Sequence, residues 1–266
     1  MDNFIEFKKV SVIRDDKKIL DNINLNIGLD DNVVIIGPNG SGKSTFIKLI
    51  IGKNYPSYTE DDTVFKLFGR QKWNIYNLRS MLGIVTNELE YDFHNGITGF
   101  EAVLSGFFSS IGVFCNHKIT NGMIQKADNV IDFLGISFLK NRQLETMSYG
   151  ESKKFLIARA LVNNPKVLIL DEPSNGLDIA LSIKFRSIMR KITKVKTKIV
   201  LVTHLVSDII PEIDRFIFLK EGKIYADGKS KEIFNSEKLS SLFGVKVNLV
   251  KTNEFYNINA VGDDIV

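Results

Sequence analysis

The chain has a single cysteine, Cys115, so it can form no internal disulfide, and a reducing compartment such as the cytoplasm is the expected setting. Only five prolines occur, and no segment is repetitive or of low complexity. With 44% hydrophobic and 25% charged residues, it can fill a sizeable core, which excludes intrinsic disorder. Long apolar runs are missing. The best candidate, Gly99 to Cys115, contains Glu101 and several glycines and serines, and falls short of the ~20 residues of a membrane-spanning helix. Met1-Asp2-Asn3-Phe4 has neither the basic start nor the apolar stretch of a secretion signal. A dominant charge is lacking too. Lys plus Arg number 35 and Asp plus Glu 31, and a net +4 does not by itself indicate nucleic acid or anionic lipid. Any membrane role is expected to come through a partner.

What is present is an alternation of strand and helix patterns. Phe4 to Val12 and Ile19 to Ile27 read as strands joined by a turn at 14–18, and Ile23, Leu25 and Ile27 alternate with asparagines. Val33 to Ile36 is short and wholly apolar, as in a strand buried on both faces. A helix is expected from about Lys43 to Ile51, and strands at Thr63 to Phe68 and Gly83 to Val85. From about 88 to 147 no strand pattern persuades. Thr98-x-x-Glu101 is a capping box and Met123 to Leu134 has helical spacing, so a mostly helical insert is expected. Then the rhythm resumes: a helix after Ser148, strand Val167 to Leu170, a helix after Asp178, and strand Ile199 to Val202. Strands Arg215 to Leu219 and Lys223 to Tyr225 flank Glu221-Gly222, and the tail from about 236 has room for a short helix and two strands. This predicts an α/β fold with a mostly parallel sheet flanked by helices and a small antiparallel β-subdomain.

Two segments carry chemistry. Gly37-Pro38-Asn39-Gly40-Ser41-Gly42-Lys43-Ser44-Thr45 matches the G-x-x-x-x-G-K-[ST] phosphate loop, with an apolar strand before it and a helix after. Gly37, Gly40 and Gly42 let the backbone turn its N–H groups inward at phosphate oxygens, and the helix start adds partial positive charge. Lys43 reaches the β- and γ-phosphates of ATP, and Ser44 is the candidate ligand of Mg²⁺. In Val167-Leu-Ile-Leu-Asp171-Glu172 an apolar strand ends in two carboxylates. Asp171 is the candidate partner of Mg²⁺ and Glu172 the candidate general base. Pro173 follows at once, so by themselves the two acids could also cap a turn; the phosphate loop upstream favours the first reading.

A narrower assignment rests on Met147-Ser148-Tyr149-Gly150-Glu151, in which Ser148 lies 23 residues before Asp171. It resembles the ABC signature, Leu-Ser-Gly-Gly-Gln. Ser174-Asn-Gly-Leu-Asp178 resembles the D-loop and His204 the switch histidine, and all come in the family's order. Over roughly residues 4 to 230 the chain thus resembles an ABC ATPase. The resemblance implies a P-loop NTPase with an ATP-binding domain at 1–235: a RecA-like core with the antiparallel β-subdomain at 1–87 and 165–235, and a helical signature subdomain at 88–164. Residues 236–266 form a C-terminal extension. It also implies ATP and Mg²⁺ as cofactors and a second copy bound head to tail. Ser148, Tyr149, Gly150, Glu151 and Asp178 would then contact ATP in trans, and His204 would hold the γ-phosphate and the water with Glu172. Without the family, His204 reads more readily as a satisfied histidine at a strand end.

The sequence departs from the family at positions that bear on the site. Arg14 stands about where an aromatic residue stacks on adenine, and a guanidinium can also stack on a base. Asn87 and Glu88 replace the Q-loop glutamine, and Glu151 replaces the signature glutamine, bringing negative charge near the shared phosphate. With Leu104-Ser-Gly-Phe-Phe-Ser-Ser-Ile-Gly112, these features resemble the subgroup of ModF-, PhrA- and YlmA-like ABC ATPases. The expected role is a transporter motor at the inner face of the membrane, docking its helical insert on a separate permease. Gly106 to Gly112 could receive that partner or pack the insert's own core. The alternative is a soluble ABC ATPase acting on nucleic acid, a ribosome or another macromolecule. Its support, Arg190 to Lys198, reads more simply as a solvated helix end. A non-hydrolysing binding module is opposed by the presence of Glu172 and His204.

Overall fold

The computed structural model describes residues 3–57, 62–86, 88, 89, 93 and 96–265, the side chains of 260–265 excepted. They form two compact units, one of residues 1–73 and 198–266, the other of 74–197.

The first unit opens with β1 (Asn3–Arg14), β2 (Lys17–Gly28), β3 (Val33–Ile36), α1 (Lys43–Ile50) and β4 (Val64–Leu67). The second contains α2 (Ile75–Met81), β5 (Leu82–Val85), α3 (Gly99–Ser105), α4 (Asn121–Phe133), α5 (Tyr149–Leu161), β6 (Val167–Asp171) and α6 (Ile179–Thr193). The first resumes with β7 (Lys198–Thr203), β8 (Arg215–Lys220), β9 (Lys223–Lys229), α7 (Ser230–Ile233), α8 (Ser236–Phe243), β10 (Val245–Thr252) and β11 (Phe255–Ile265).

β1 lies between β2 and β4, antiparallel to both, in the expected small sheet. The turn between β1 and β2 is tighter than the sequence predicts. Arg14 already pairs with Lys17, leaving only Asp15 and Asp16, at φ 46° and 58°. Two positive φ values make a primed hairpin turn, whose twist matches that of the strands, and aspartate tolerates it. On β2, Ile23, Leu25 and Ile27 are buried while Asn24 and Asn26 face out, so the alternation fixes the register.

β3 is the centre of the first unit's main sheet, parallel to β7 on one side and β8 on the other, with β9 antiparallel at the edge. All four residues of β3 are buried, as a strand covered on both faces requires. In the second unit β5 pairs in parallel with β6. The insert is helical as expected. Thr98 caps α3 with the complete box, Glu101 reaching back to the Thr98 amide at 2.8 Å. α4 and α5 bury Ala127, Ile131, Phe155 and Ile157. The tail's helix and two strands are α8 and the β10–β11 hairpin. α2 and α7 were not expected. The first had a signal: Asn74 accepts from the Tyr76 amide at 2.9 Å.

Candidate functional site

The phosphate loop leaves β3 at Ile36, which pairs with Thr203 of β7, so Gly37 and His204 follow the carboxyl ends of adjacent parallel strands. This is where open α/β sheets bind ligands. Gly37 is needed for space: a Cβ there would fall 2.2 Å from the Leu219 carbonyl oxygen. Gly42 is needed for its backbone, at φ 104°, as the cap of α1. No side chain caps this helix start, whose partial positive charge suits an anion. Lys43 lies along the loop, its Nζ donating to the Gly37 and Pro38 carbonyls at 2.7 and 3.0 Å. Asn39, Gly40 and Ser44 are exposed, Pro38 and Thr45 half-buried, and Phe46 and Ile47 root the helix in the core.

The loop is braced from below by residues outside the motif. Glu221 and Gly222, at φ 49° and 75°, turn β8 into β9. The Gly222 amide donates to the Ser41 carbonyl at 3.0 Å, and the Gly222 carbonyl accepts from the Asp21 amide at 2.9 Å. Contact is so close that a Cβ at 222 would lie 2.4 Å from the Ile19 oxygen. Beside the loop an open cavity of about 310 Å³ is lined by residues 38–41 together with Leu242, Phe243 and Gly244, so the C-terminal extension reaches the phosphate loop. Lys220 Nζ ties it there through the Ser241 carbonyl at 2.6 Å.

Arg14 is exposed, its Nη2 donating to Asn54 Oδ1 at 3.0 Å in the stretch after α1. His204 is half-buried in a turn held by Thr203, whose hydroxyl accepts from the Leu205 amide at 3.0 Å and donates to Asp208 at 3.1 Å.

In the second unit, buried β6 delivers Asp171 and Glu172 to its end. Glu172 adopts φ 47°, a left-handed backbone that costs a non-glycine residue roughly 1–2 kcal/mol and that clusters at functional sites. Its carbonyl accepts from the Asn175 amide at 3.1 Å, closing the turn through Pro173. Ser148 caps α5 as the sequence predicts. Its Oγ accepts from the Glu151 amide at 3.4 Å, and Glu151 Oε2 accepts from the Ser148 amide at 2.9 Å. That bond from the Ser148 amide, and a second from its hydroxyl, hold the Glu151 carboxyl below the ordinary glutamate range. Gly150 is buried, while Tyr149 is exposed. Asp178 caps α6, accepting from the Leu181 amide at 2.7 Å. Glu88 is exposed in a short helical turn, and Asn87 lies outside the described residues.

In the insert, Phe107 and Phe108 are half-buried, and Phe108 stacks on His117 at 3.9 Å. Arg159 anchors this segment through Ser105 Oγ at 3.2 Å and the Ser110 carbonyl at 2.9 Å. Burial, then the charge of Arg79, lowers its pKa to about 10. Ile111 and Phe114 remain 41% and 56% exposed, so the segment packs its own core and keeps an apolar surface as well. Lys191, Lys194 and Lys196 of the basic run are exposed. The contribution of Glu221-Gly222 to the phosphate loop carries no motif; only the turn signal at 221–222 was readable.

Residues 20–175, more than half of the chain, match the ABC transporter family. The chain belongs to that family, as an ATP-binding cassette with the α/β fold of a P-loop NTPase, and the family hydrolyses ATP. It is 31% identical over 251 residues to the uncharacterized ABC transporter ATP-binding protein YlmA of Bacillus subtilis, covering 92% of this chain and 93% of that one. The structure of CbiO1 from Clostridium perfringens, part of the ABC transporter complex CbiONQ, superposes with TM-score 0.76 at 26% identity, over 91% of this chain and 94% of that one. The dimeric structure of MJ0796, a bacterial ABC transporter cassette, superposes with TM-score 0.66 at 26% identity, over 85% of this chain and 98% of that one. Transporter subunits among its relatives favour the motor reading over one directed at nucleic acid or ribosomes. No helix among the described residues is long and apolar enough to cross a membrane.

Proposed function

We propose that two copies of this chain pair head to tail around two ATP sites and power transport through a separate permease. The observation that carries this reading is the capped N-terminus of α5. Ser148 and Glu151 satisfy each other's amides, which fixes a helix start whose partial positive charge suits an anion. A chain that carries both a phosphate loop and this second anion-binding helix start is suited to clasp ATP between copies. A dimeric cassette among its structural relatives supports the arrangement.

In this reading residues 37–45 bind the phosphates, Lys43 countering charge on the β- and γ-groups, and Arg14 lies against adenine. Ser44 and Asp171 offer the hard oxygen donors that Mg²⁺ takes, and the bound ion would neutralise phosphate charge. Glu172 accepts the proton of the attacking water, whose oxygen bonds to the γ-phosphorus as the bond to the bridging oxygen breaks, giving ADP and phosphate. His204 orients that water and the γ-phosphate. Ser148, Tyr149, Gly150, Glu151 and Asp178 complete the site from the second copy. Asn87 and Glu88 stand at the Q-loop position of the sequence, and the exposed Ile111 and Phe114 of the helical subdomain suit an apolar cytoplasmic patch of a permease. CbiO1, itself part of a transporter complex, supports such a partner.

The test is the ATPase rate per subunit against protein concentration, for the parent and for Glu172→Gln. The parent's rate is expected to rise with concentration, and the variant to lose turnover and accumulate as an ATP-bound dimer. A rate per subunit independent of concentration would sink the shared-site reading; parental turnover in Glu172→Gln would sink the assignment of the base.

A further inference from the structure

The first turn of α5 carries an aromatic ring where the family signature has glycine. The Tyr149 hydroxyl accepts a hydrogen bond from Lys153 Nζ at 3.0 Å, and the same ammonium lies 4.8 Å from the ring centroid. Lys153 is only 1% exposed, rare for a lysine. The helix therefore holds one of its own side chains against its first turn.

The ring has a second neighbour. Gly176, in the segment between β6 and α6, adopts φ 78°, and a Cβ there would meet Tyr149 Cε1, Cζ and Oη at 3.3, 3.5 and 3.6 Å. The ring thus lies on the bare backbone of Gly176. The next residue makes a parallel contact: a Cβ on Gly150 would come within 2.9 Å of the Leu181 methyls. Leu181 is also the residue whose amide Asp178 caps. The start of α5 thus lies against this stretch at two points, 149 against 176 in the 174–178 segment and 150 against 181 in the first turn of α6.

We propose that Tyr149, steadied by Lys153, is a positioning residue that clamps the 174–178 segment to the first turn of α5. Ser148 and Asp178 then meet the second copy's ATP as one preformed surface. Order already present in the monomer need not be created on association, so the clamp strengthens pairing. The proposal rests on the shared-site reading, and its test separates the two.

The variants are Tyr149→Ala, Tyr149→Phe and Lys153→Met. The first readout is amide exchange of residues 174–178 in the monomer, which needs no dimer. Tyr149→Ala is expected to speed exchange about tenfold; Tyr149→Phe, which removes the hydrogen bond, roughly threefold, and Lys153→Met, which removes that bond and the ammonium over the ring, at least threefold. The second readout, in the Glu172→Gln background, is the protein concentration for half-maximal dimerisation at saturating ATP. It should rise in the same order, while the monomer's affinity for ATP stays at the parental value. Parental exchange in Tyr149→Ala overturns the clamp, as does parental exchange in Tyr149→Phe and Lys153→Met together. A loss of monomer ATP affinity that matches the loss of pairing also overturns it, since that is general damage. If the parent itself does not dimerise while the exchange order holds, the shared-site reading falls and the clamp stands.

Discussion

Replacing Gly222 by alanine tests the brace beneath the phosphate loop. At φ 75° an alanine costs about 1–2 kcal/mol, of which roughly 0.4–1 is regained by restricting the unfolded chain. The new Cβ would also fall 2.4 Å from the Ile19 oxygen and 3.4 Å from the Leu20 Cα, both backbone atoms. Relief requires the β8–β9 turn to move, weakening the bonds to the Ser41 carbonyl and from the Asp21 amide, each worth about 0.5–1.5 kcal/mol. The sum is about 3 kcal/mol, a fall in Tm of roughly 6–12 °C for a chain of this size. Gly135→Ala is the control. Its φ is 68°, but a Cβ there meets nothing within 4 Å, so only the backbone cost applies, about 1 kcal/mol and roughly 2–4 °C. Thermal melting by circular dichroism measures both. Titration with a fluorescent ATP analogue should show affinity falling about tenfold in Gly222→Ala, a loss of ~1.4 kcal/mol, and unchanged in Gly135→Ala. If the two variants melt together and bind ATP equally, the phosphate loop does not depend on this turn.

The Glu151 carboxylate should stabilise the fold in a pH-dependent way. Its folded pKa is depressed, so its contribution is complete above the unfolded value of roughly 4.3 and is lost as pH falls through the lower folded value. The gap in Tm between the parent and Glu151→Gln is expected to shrink between about pH 5 and pH 3; a gap constant over that range would show that the charge contributes nothing. Phe155 is fully buried in the helical insert, so Phe155→Ala should cost about 3–5 kcal/mol in chemical denaturation. A loss under 1 kcal/mol would mean that the insert's core does not centre on this ring.

Most strands and the chemistry-bearing segments were legible because each couples a local pattern to a local cause. The four apolar residues of β3 announce double burial, and Ser148-x-x-Glu151 and Thr98-x-x-Glu101 announce helix starts that form as capping boxes. The 14–18 turn was drawn too wide because charged side chains suggest a loop, whereas Arg14 and Lys17 still pair and only two aspartates leave the strands. α2 was overlooked because seven residues with one buried position, Leu78, give no periodicity. The support of the site was hidden for a different reason. Gly222 meets Ser41, and Tyr149 meets Gly176, across long sequence separations that no spacing rule reports. The φ of 47° at Glu172 is likewise set by the turn through Pro173, beyond what residue type discloses.

The pairing of β3 also bears on how this chain is made. Val33 to Ile36 finds one neighbour at 198–203 and the other at 215–220. A ribosome therefore delivers the phosphate-binding strand long before either strand that flanks it. Until then the nascent chain carries an apolar strand with two open edges, the kind of segment that seeks pairing with other chains. A fragment ending before residue 198 would hold the whole phosphate-loop sequence yet neither strand that flanks β3, and ATP could assist folding of that sheet only once synthesis had passed residue 220.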